Sequence, residues 1–268
     1  MNNRLLSSDG FVPVLKKGIS MVGGSTGSAS FDLTGLKTYN KCDVASSPDT
    51  NVATDVGSSD SLGSASDMAC TGTTFQQPGV LEYAISFDGT NDEAVFGSSL
   101  TQFDFLYSTS YEFSINFWYA KLTSSPNAQS VFMNMRTSGG TSSGVMMKFD
   151  DRNTKNIFEV SCKLCNTAYI DKILSTAIPQ DTEYHMITIT GDNSDSGWKF
   201  YIDGGSAETI AESSSPSGTC NADLPLELAQ ENGSDFWAGK LCELSIWNRV
   251  LSTDEITELY NDGDGLAL

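Results

Sequence analysis

Apolar and polar residues alternate with a period of two through much of the C-terminal two-thirds of the chain. One run places four apolar residues on one face, namely Phe113, Ile115, Phe117 and Tyr119. A second run places three residues on one face, namely His185, Ile187 and Ile189. Because successive side chains of a strand point to opposite sides of the sheet, this period predicts antiparallel strands with one buried face.

About ten strand-like runs recur from residue 79 onward, each bounded by residues typical of turns. They are Gly79–Phe87, Glu93–Gly97, Glu112–Ala120, Ser130–Met135, Gly144–Phe149, Ile157–Cys162, Glu183–Thr190, Gly197–Asp203, Leu224–Ala229 and Phe236–Trp247. So many short strands with turn-rich spacing predict an all-β fold in which two antiparallel sheets form a sandwich.

The residues after the last run predict one short C-terminal helix. Ser252-Thr253-Asp254-Glu255 has the capping-box pattern, in which Ser252 and Glu255 bond each other's backbone N–H groups. An apolar stripe and a stop follow, formed by Ile256, Leu259, Tyr260 and Gly263. We expect this helix to pack on the sandwich.

The first 78 residues have a different character. Residues 1–38 contain short apolar pieces separated by Gly and small polar residues, which predicts an extended N-terminal arm that anchors the protein. Residues 39–78 are rich in Ser, Asp, Thr and Gly and predict a loop or linker. Residues 79–268 then form the sandwich and a short C-terminal tail.

The composition is strongly acidic. The chain of 268 residues has 15 Lys and Arg against 34 Asp and Glu, which gives a formal net charge of −19. Such a surface repels phosphates, so we expect no nucleic-acid partner. No apolar stretch approaches the roughly 20 residues that cross a bilayer, so we expect no membrane insertion. The N-terminal residues lack the apolar region of a signal peptide, and we expect no cleaved export signal.

Six cysteines permit three disulfides, but their spacing does not choose among the pairings. Cys162 and Cys165 have the spacing of a zinc or redox half-site, yet in a continued strand they would face opposite sides and could not share a metal. Buried free thiols and surface disulfides remain the two alternatives. The disulfide candidates are Cys42, Cys70, Cys220 and Cys242, of which Cys42 and Cys70 could close the loop of residues 39–78.

Four segments follow one another in a characteristic order. Ile85–Asp92 contains F-D-G-x-x-D, Phe113–Tyr119 is an aromatic strand with Trp118, Tyr184–Ile189 and Phe200–Gly204 form a pair, and Ala238–Ser252 ends in N-R-x-L-S. In this order they resemble the laminin-G-like, concanavalin A-like lectin and glucanase family over about residues 79–262. The resemblance implies a jelly-roll sandwich that serves as a lectin or adhesion module.

The resemblance also implies a calcium site. The hairpin supplies oxygen ligands from Asp88, Asn91 and Asp92, and the family places them near the strand that carries Glu243. Cys242 stands where the family usually has an aspartate ligand, and Glu183 stands where it often has tryptophan. The alternative is an ordinary turn whose side chains cap their own backbone, and the loss of the aspartate favours it.

Glycan binding requires aromatic platforms with polar groups around them. Trp237 and Tyr107 lie at predicted loops or strand ends and are the candidate platforms, whereas Trp118 and Trp198 fit core strands.

Catalysis has little support in the sequence. Glucanases of this fold carry a strand motif E-x-D-x-x-E that places paired carboxylates on one face, and the chain has no such motif. The one histidine, His185, alternates with Ile187 and Ile189, which favours a satisfied structural position over a general base. We therefore expect a non-enzymatic protein.

These features together predict a structural protein of a virion, made in the host cytoplasm and exposed on the particle exterior. It would be a phage capsid decoration or a tail fibre or adhesin subunit, with residues 1–38 bound to other virion proteins and the sandwich facing a host-surface glycan. We expect a homo-oligomer. The alternatives are a soluble or surface glycan-processing enzyme of the glucanase class and a cell-surface adhesion module.

Overall fold

The alternating runs of the sequence form strands. The structure is a computed structural model that describes residues 31–122, 129–137, 143–150, 157–165, 168–179, 181–195 and 197–268. Its strands are β1 (Leu36–Asn40), β2 (Met68–Thr71), β3 (Thr74–Pro78), β4 (Tyr83–Asp88), β5 (Glu93–Phe96), β6 (Glu112–Lys121), β7 (Gln129–Asn134), β8 (Gly144–Asp150), β9 (Ile157–Leu164), β10 (Ala168–Ala177), β11 (His185–Asp192), β12 (Gly197–Ile202), β13 (Glu208–Ala211), β14 (Glu227–Leu228) and β15 (Ala238–Trp247). One α-helix follows, α1 (Thr253–Tyr260).

The strands form two antiparallel sheets. Sheet I has the order β13-β12-β11-β6-β15-β4-β3, and β1 pairs with the second half of β15, beyond β4. Sheet II has the order β10-β9-β8-β7-β14-β5-β2. The predicted all-β, two-sheet jelly-roll sandwich is therefore confirmed, and each of the ten predicted runs contains a strand.

Aromatic side chains fill the space between the sheets. Phe117 of β6 stacks on Phe132 of β7 with ring centroids 4.2 Å apart, and Tyr119 lies 5.1 Å from Phe149 of β8. These contacts come from the face of β6 that the period of two assigned to the core. Large buried rings of this kind supply much of the hydrophobic stabilisation of a sandwich.

The opposite face of sheet I is covered by α1. Tyr260 stacks on Trp118 at 5.7 Å between centroids, and Ile256 and Leu259 are buried. The predicted capping box is present, since Ser252 Oγ accepts from the Glu255 N–H at 3.2 Å and the Glu255 carboxylate accepts from the Ser252 N–H at 2.8 Å. The helix ends at Tyr260 with Asn261 in the left-handed cap conformation, rather than at Gly263.

None of the helices in the described ranges is long and apolar enough to span a membrane.

The predicted boundaries at residues 38 and 78 are wrong, because strands β1, β2 and β3 belong to the sheets of the sandwich. β1 pairs with β15, and β3 pairs with β4 at the edge of sheet I, while β2 pairs with β5 at the edge of sheet II. One compact unit extends from Asp32 to Leu268. The rest of the predicted arm, residues 1–30, lies outside the described residues.

Side-chain hydrogen bonds help to hold the polar segment between β1 and β2. Asn51 Oδ1 accepts from the backbone N–H groups of Tyr39 and Ala53, both at 2.9 Å, and its amide donates to Ser66 Oγ at 2.8 Å. A low-hydrophobicity segment can thus be fixed to a strand when its amides and hydroxyls satisfy the backbone.

The cysteine pairing differs from the candidates. Cys220 forms a disulfide with Cys165, whereas Cys42, Cys70 and Cys242 are free thiols, as is Cys162. Cys162 lies buried in β9, and Cys165 follows that strand in a left-handed turn with φ of 45°, which takes its sulfur out of the strand alternation. The loop of residues 39–78 is therefore not closed by Cys42 and Cys70.

Candidate functional site

The predicted calcium ligands do not converge. Asp92 Oδ2 accepts from the Asp88 N–H at 2.8 Å, and Asp88 Oδ1 accepts from the Thr90 N–H at 2.7 Å, which is the self-capping turn. Ala238 pairs with Asp88, so Glu243 lies five residues further along β15, roughly 16 Å away at the rise of a strand. Within the described residues no three His, Cys, Asp or Glu side chains form a metal-sized group. Glu243 is therefore no part of this hairpin, and calcium at Asp88, Asn91 and Asp92 stays a prediction.

The two predicted glycan platforms are buried. Trp237 is 2% exposed and packs against Phe87, Phe132 and Phe149 at 5.2 to 5.7 Å between centroids. Tyr107 is 0% exposed and donates its hydroxyl to the Leu100 carbonyl at 3.0 Å. Neither ring presents a face to solvent, so the assignment of a glycan site to them is corrected.

His185 occupies a satisfied position at the start of β11. Its Nδ1 lies 2.7 Å from Asp203 Oδ2, and its Nε2 lies 3.0 Å from Asp181 Oδ1. Burial alone would lower the pKa of His185, but the bonds to Asp203 and Asp181 outweigh it and raise the pKa. Both carboxylates hold the ring in place, which agrees with the structural role expected for this residue.

A β-bulge in β15 creates the most unusual backbone position near a cavity. Cys242 pairs with Trp118 and Ser245 pairs with Asn116, so β15 has one residue more than β6 between these two pairs. Glu243 lies in the bulge with φ of 53°, a left-handed conformation that is rare for a non-glycine residue inside a strand. Backbone strain of this kind is concentrated at functional positions.

The bulge places the Glu243 carboxyl group beside β1. Tyr39 donates its hydroxyl to Glu243 Oε2, and the Glu243 N–H donates to the Lys41 carbonyl at 3.4 Å. Glu243 is 6% exposed. Burial raises the pKa of Glu243 to about 7, although the Tyr39 bond and the Lys41 ammonium act in the opposite direction.

A cavity of about 140 Å³ opens at this carboxyl group, and we call it the bulge pocket. Five segments of the chain form its walls, namely β1, the residues after it, the turn before β4, β15 and the residues after α1. Its lining residues are Tyr39, Lys41, Asp43, Leu81, Glu82, Glu243 and Ala267. Hydrogen-bonding groups thus lie beside an aromatic ring and aliphatic side chains in one small concave site.

Lys41 and Leu81 add an ammonium and an apolar surface to the groups with which the pocket can contact a ligand. The Lys41 ammonium lies 5.9 Å from the centroid of the Tyr39 ring, within the range of a cation–π contact. Leu81 is 40% exposed in the turn that Gly79 and Glu82 close, so it offers an apolar surface at the mouth. The pocket can therefore donate from an ammonium, accept on carboxylates and contact an apolar face.

The sequence pattern assigned Glu243 to the calcium site and did not predict the other residues of the bulge pocket. Tyr39, Lys41 and Asp43 lie in the segment that was interpreted as a linker, and their partner strand is about 200 residues away in the sequence. A local pattern does not report such a long-range pairing.

Comparison with known proteins supports the family. The sequence model of Laminin_G_3, described as the concanavalin A-like lectin/glucanases superfamily, matches residues 88–257. No curated protein matches the sequence.

Solved structures share the fold at low sequence identity. Domain 4 of AbnA, a GH43 extracellular arabinanase from Geobacillus stearothermophilus in complex with arabinotriose, has a TM-score of 0.58 and 15% identity, covering 83% of this chain and 97% of that domain. The binding domain of botulinum neurotoxin DC in complex with SialylT has a TM-score of 0.60 and 14% identity, covering 85% of this chain and 51% of that one. Trypanosoma rangeli sialidase has a TM-score of 0.58 and 13% identity, covering 87% and 34%. The chain spans only about half and a third of these last two proteins.

Proposed function

The chain belongs to the concanavalin A-like lectin/glucanase superfamily, and from this premise we propose that it is a non-enzymatic glycan-binding module displayed on a virion. The observation that carries the glycan-binding part is the bulge pocket, where a buried carboxyl group, an ammonium and an apolar wall meet. Two proteins of similar fold, the arabinanase domain in complex with arabinotriose and the neurotoxin binding domain in complex with SialylT, support a sugar as the bound molecule.

The pocket has the groups that recognise a sugar. A pyranose presents hydroxyl groups, which donate and accept hydrogen bonds, and a C–H face that packs on apolar surface. Glu243, Asp43 and Glu82 can accept from hydroxyls, while Lys41 can donate to them. Leu81 and the Tyr39 ring can contact the C–H face, so one small site satisfies both sides of the ligand.

Binding is favoured over hydrolysis by the way Glu243 is held. Most glycoside hydrolases use two carboxyl groups across the scissile bond, one as acid and one as nucleophile or base. One oxygen of Glu243 is engaged by the Tyr39 hydroxyl, and the paired-carboxylate strand motif is absent from the sequence. These features support a role in attachment.

Glycan binding is tested by screening the purified full chain on a glycan array and confirming hits by ligand-observed NMR. We expect saturation transfer from the protein to a terminal sugar. Glu243→Gln, which keeps the side-chain shape, should weaken binding by about tenfold, the loss of one charge-assisted hydrogen bond. The matched control is Glu258→Gln, an exposed carboxyl group on α1 outside the pocket. Absence of binding to every glycan would contradict the proposal.

The virion role is supported by the acidic surface and by an N-terminal segment outside the sandwich unit. Mass spectrometry of purified particles should detect the chain as a capsid decoration or as a tail fibre or adhesin subunit. Deleting residues 1–31 should abolish incorporation and leave the sandwich folded, because Asp32 is where the compact unit begins. A chain that is missing from particles, or that is incorporated without residues 1–31, would contradict this part.

A glycan-processing enzyme is the second candidate, since Glu243 has a pKa near that of a general acid and the similar folds include a sialidase and a domain of an arabinanase. Activity screens on β-glucans, arabinan and sialosides decide between the two. Turnover that is lost in Glu243→Gln and kept in Glu258→Gln would establish the enzyme.

A further inference from the structure

We infer that the bulge pocket selects sugars that are uncharged or carry an amino group, and discriminates against sugars that carry a carboxylate. This inference rests on the proposed glycan-binding function and names the ligand class of the same pocket.

The first support is the charge of the walls. Three side chains with carboxyl groups, Asp43, Glu82 and Glu243, surround one ammonium, that of Lys41. Lys41 lowers the pKa of Glu243 against the effect of burial, so its charge already acts on a carboxyl group of the protein. An incoming carboxylate would have to compete for Lys41 with the protein's own acids.

The second support is the free side of the Glu243 carboxyl group. Glu243 is 94% buried, and Oε2 accepts from Tyr39. Within the described residues Oε1 has no hydrogen-bond partner, and the side chain lines the cavity. A ligand hydroxyl or ammonium can donate a hydrogen bond to this oxygen. A ligand carboxylate has no proton to donate at neutral pH.

The third support is the small volume of the pocket together with the negative electrostatic potential of the protein. A volume of about 140 Å³ is well below the ~300 Å³ at which pockets for drug-sized ligands begin, so the pocket fits one terminal sugar unit. In so small a site a ligand carboxylate would lie near the acidic side chains of Asp43 and Glu82, where like charges repel. The net charge of −19 also opposes the approach of an anion.

The test uses pyranoses that share one ring and differ in charge. Dissociation constants of the full chain are measured by titration for glucose, glucosamine and glucuronic acid, and for galactose against sialylated galactose. We expect the carboxylate-bearing member of each set to bind at least about tenfold more weakly, the size of one unfavourable charge pair. Equal or tighter binding of glucuronic acid or of the sialylated sugar would overturn the inference and leave the proposed function intact. Failure of all five sugars and of the array to bind would overturn the proposed function.

Two further measurements tie the preference to the pocket. Glu82→Gln, a change in an exposed turn, should reduce the ratio of the dissociation constants of the acidic and the neutral sugars, and Glu258→Gln should leave this ratio unchanged. In the wild-type chain, raising the salt concentration from roughly 0.05 M to roughly 0.5 M should also bring the dissociation constants of the acidic and the neutral sugars closer together, because salt screens the repulsion. A ratio that responds to neither change would contradict an electrostatic origin.

Discussion

Glu243 illustrates how one residue acquires unusual chemistry through its backbone. The bulge turns its side chain to the α1 side of sheet I, where Tyr39 meets it, and the surrounding walls exclude most of the water. The result is a carboxyl group whose pKa is raised to about 7, mainly by burial. A carboxyl group whose pKa changes on folding makes the free energy of unfolding depend on pH.

Replacing Glu243 should therefore change the pH dependence of stability. The folded chain keeps the Glu243 proton up to about pH 7, whereas the unfolded chain releases it near its ordinary value of 4.5. The free energy of unfolding should fall as the pH rises through this window, by roughly 3 kcal/mol. In Glu243→Gln this contribution should be absent. Urea unfolding between pH 4 and 8 measures it, with Glu258→Gln as the control, and an unchanged slope in Glu243→Gln would contradict the assignment.

The burial of Trp237 has a signal in the sequence, namely the period of two along β15. Trp237 shares its face with Leu241 by the period of two, and Leu241 is fully buried opposite Ile85 and Tyr119. Gly239 lies between them, and the Trp237 ring occupies the space where a Cβ would stand, 2.2 Å from that position. The predicted run Phe236–Trp247 already includes residue 237, and its period of two places the indole on the same inward face as Leu241.

At the scale of elements, the bulge itself leaves a trace in the sequence. Apolar residues of β15 fall at Leu241 and then at Leu244 and Ile246, so the alternation changes phase by one residue between 241 and 244. A shift of this kind is what one extra residue in a strand produces. The pattern predicts the bulge, but it does not reveal that Tyr39 lies beside it.

The disulfide between Cys165 and Cys220 links the turn after β9 to the segment between β13 and β14. Its sequence separation is 55 residues. Closing a loop of that length restricts the unfolded chain, so Cys165→Ser with Cys220→Ser should lower the free energy of unfolding by about 4 kcal/mol. Guanidinium titration measures the loss, and reduction of the wild-type chain should reproduce it. Peptide mapping that finds both thiols free in the native chain would contradict the pairing.

Glu208 closes one side of the sandwich, where β13 of sheet I approaches β10 of sheet II. Its carboxylate accepts from the backbone N–H groups of Ser175 and Thr176 at 2.8 to 3.1 Å, and Lys172 lies at 3.4 Å. These N–H groups lie on an edge strand, where they would otherwise be available to another chain. Burial raises the pKa of Glu208, but the bonds from β10 outweigh it and lower the pKa to about 2.

The Glu208 contact should be lost in acid. Because the pKa is lower in the folded chain than in the unfolded chain, the contribution is complete above about pH 4.5 and disappears as the pH falls toward 2. Glu208→Gln should have a lower melting temperature than wild type at pH 6. This difference in melting temperature should be smaller at pH 2. Calorimetry measures both, with the exposed Glu183→Gln as the control. A difference in melting temperature between Glu208→Gln and wild type that stays constant from pH 6 to pH 2 would contradict an ionic origin of the Glu208 contribution.

At the scale of the whole molecule, ten of the twelve described strands after residue 79 could be predicted from their alternation and the turn residues around them, whereas β10 and β13 were not predicted. The strands before residue 79 could not be predicted in the same way. In β1, Thr38 and Asn40 are buried opposite Ile246 and Leu244, and Thr38 satisfies itself by donating to Asn40 at 2.8 Å. Polar residues on a core face remove the signal that identifies a strand, so the segment is similar to a linker. The pocket was missed for the same reason.

Two truncations distinguish the new boundary from the predicted one. A chain without residues 1–31 should unfold with the same cooperativity as the full chain and keep its affinity for a sugar. A chain without residues 1–41 loses β1, and with it the Tyr39 hydroxyl and the four residue pairs that β1 forms with β15, so it should be less stable and bind no sugar. Circular dichroism and titration measure both. Equal behaviour of the two truncations would contradict the assignment of β1 to the sandwich.

The pairing of β1 with β15 also determines how the sandwich would respond to mechanical load. Leu36, where the N-terminal segment enters the sheet, pairs with Trp247, and the later pairs follow in order to Asn40 and Leu244. A pulling force applied through the N-terminal segment and directed across the strands, away from β15, would therefore meet the hydrogen bonds one after another, as in peeling, whereas a force along β1 would shear them together. The Tyr39 contact with Glu243 lies near the far end of this strand pair, so tension would reach the bulge pocket only after the first residue pairs had separated.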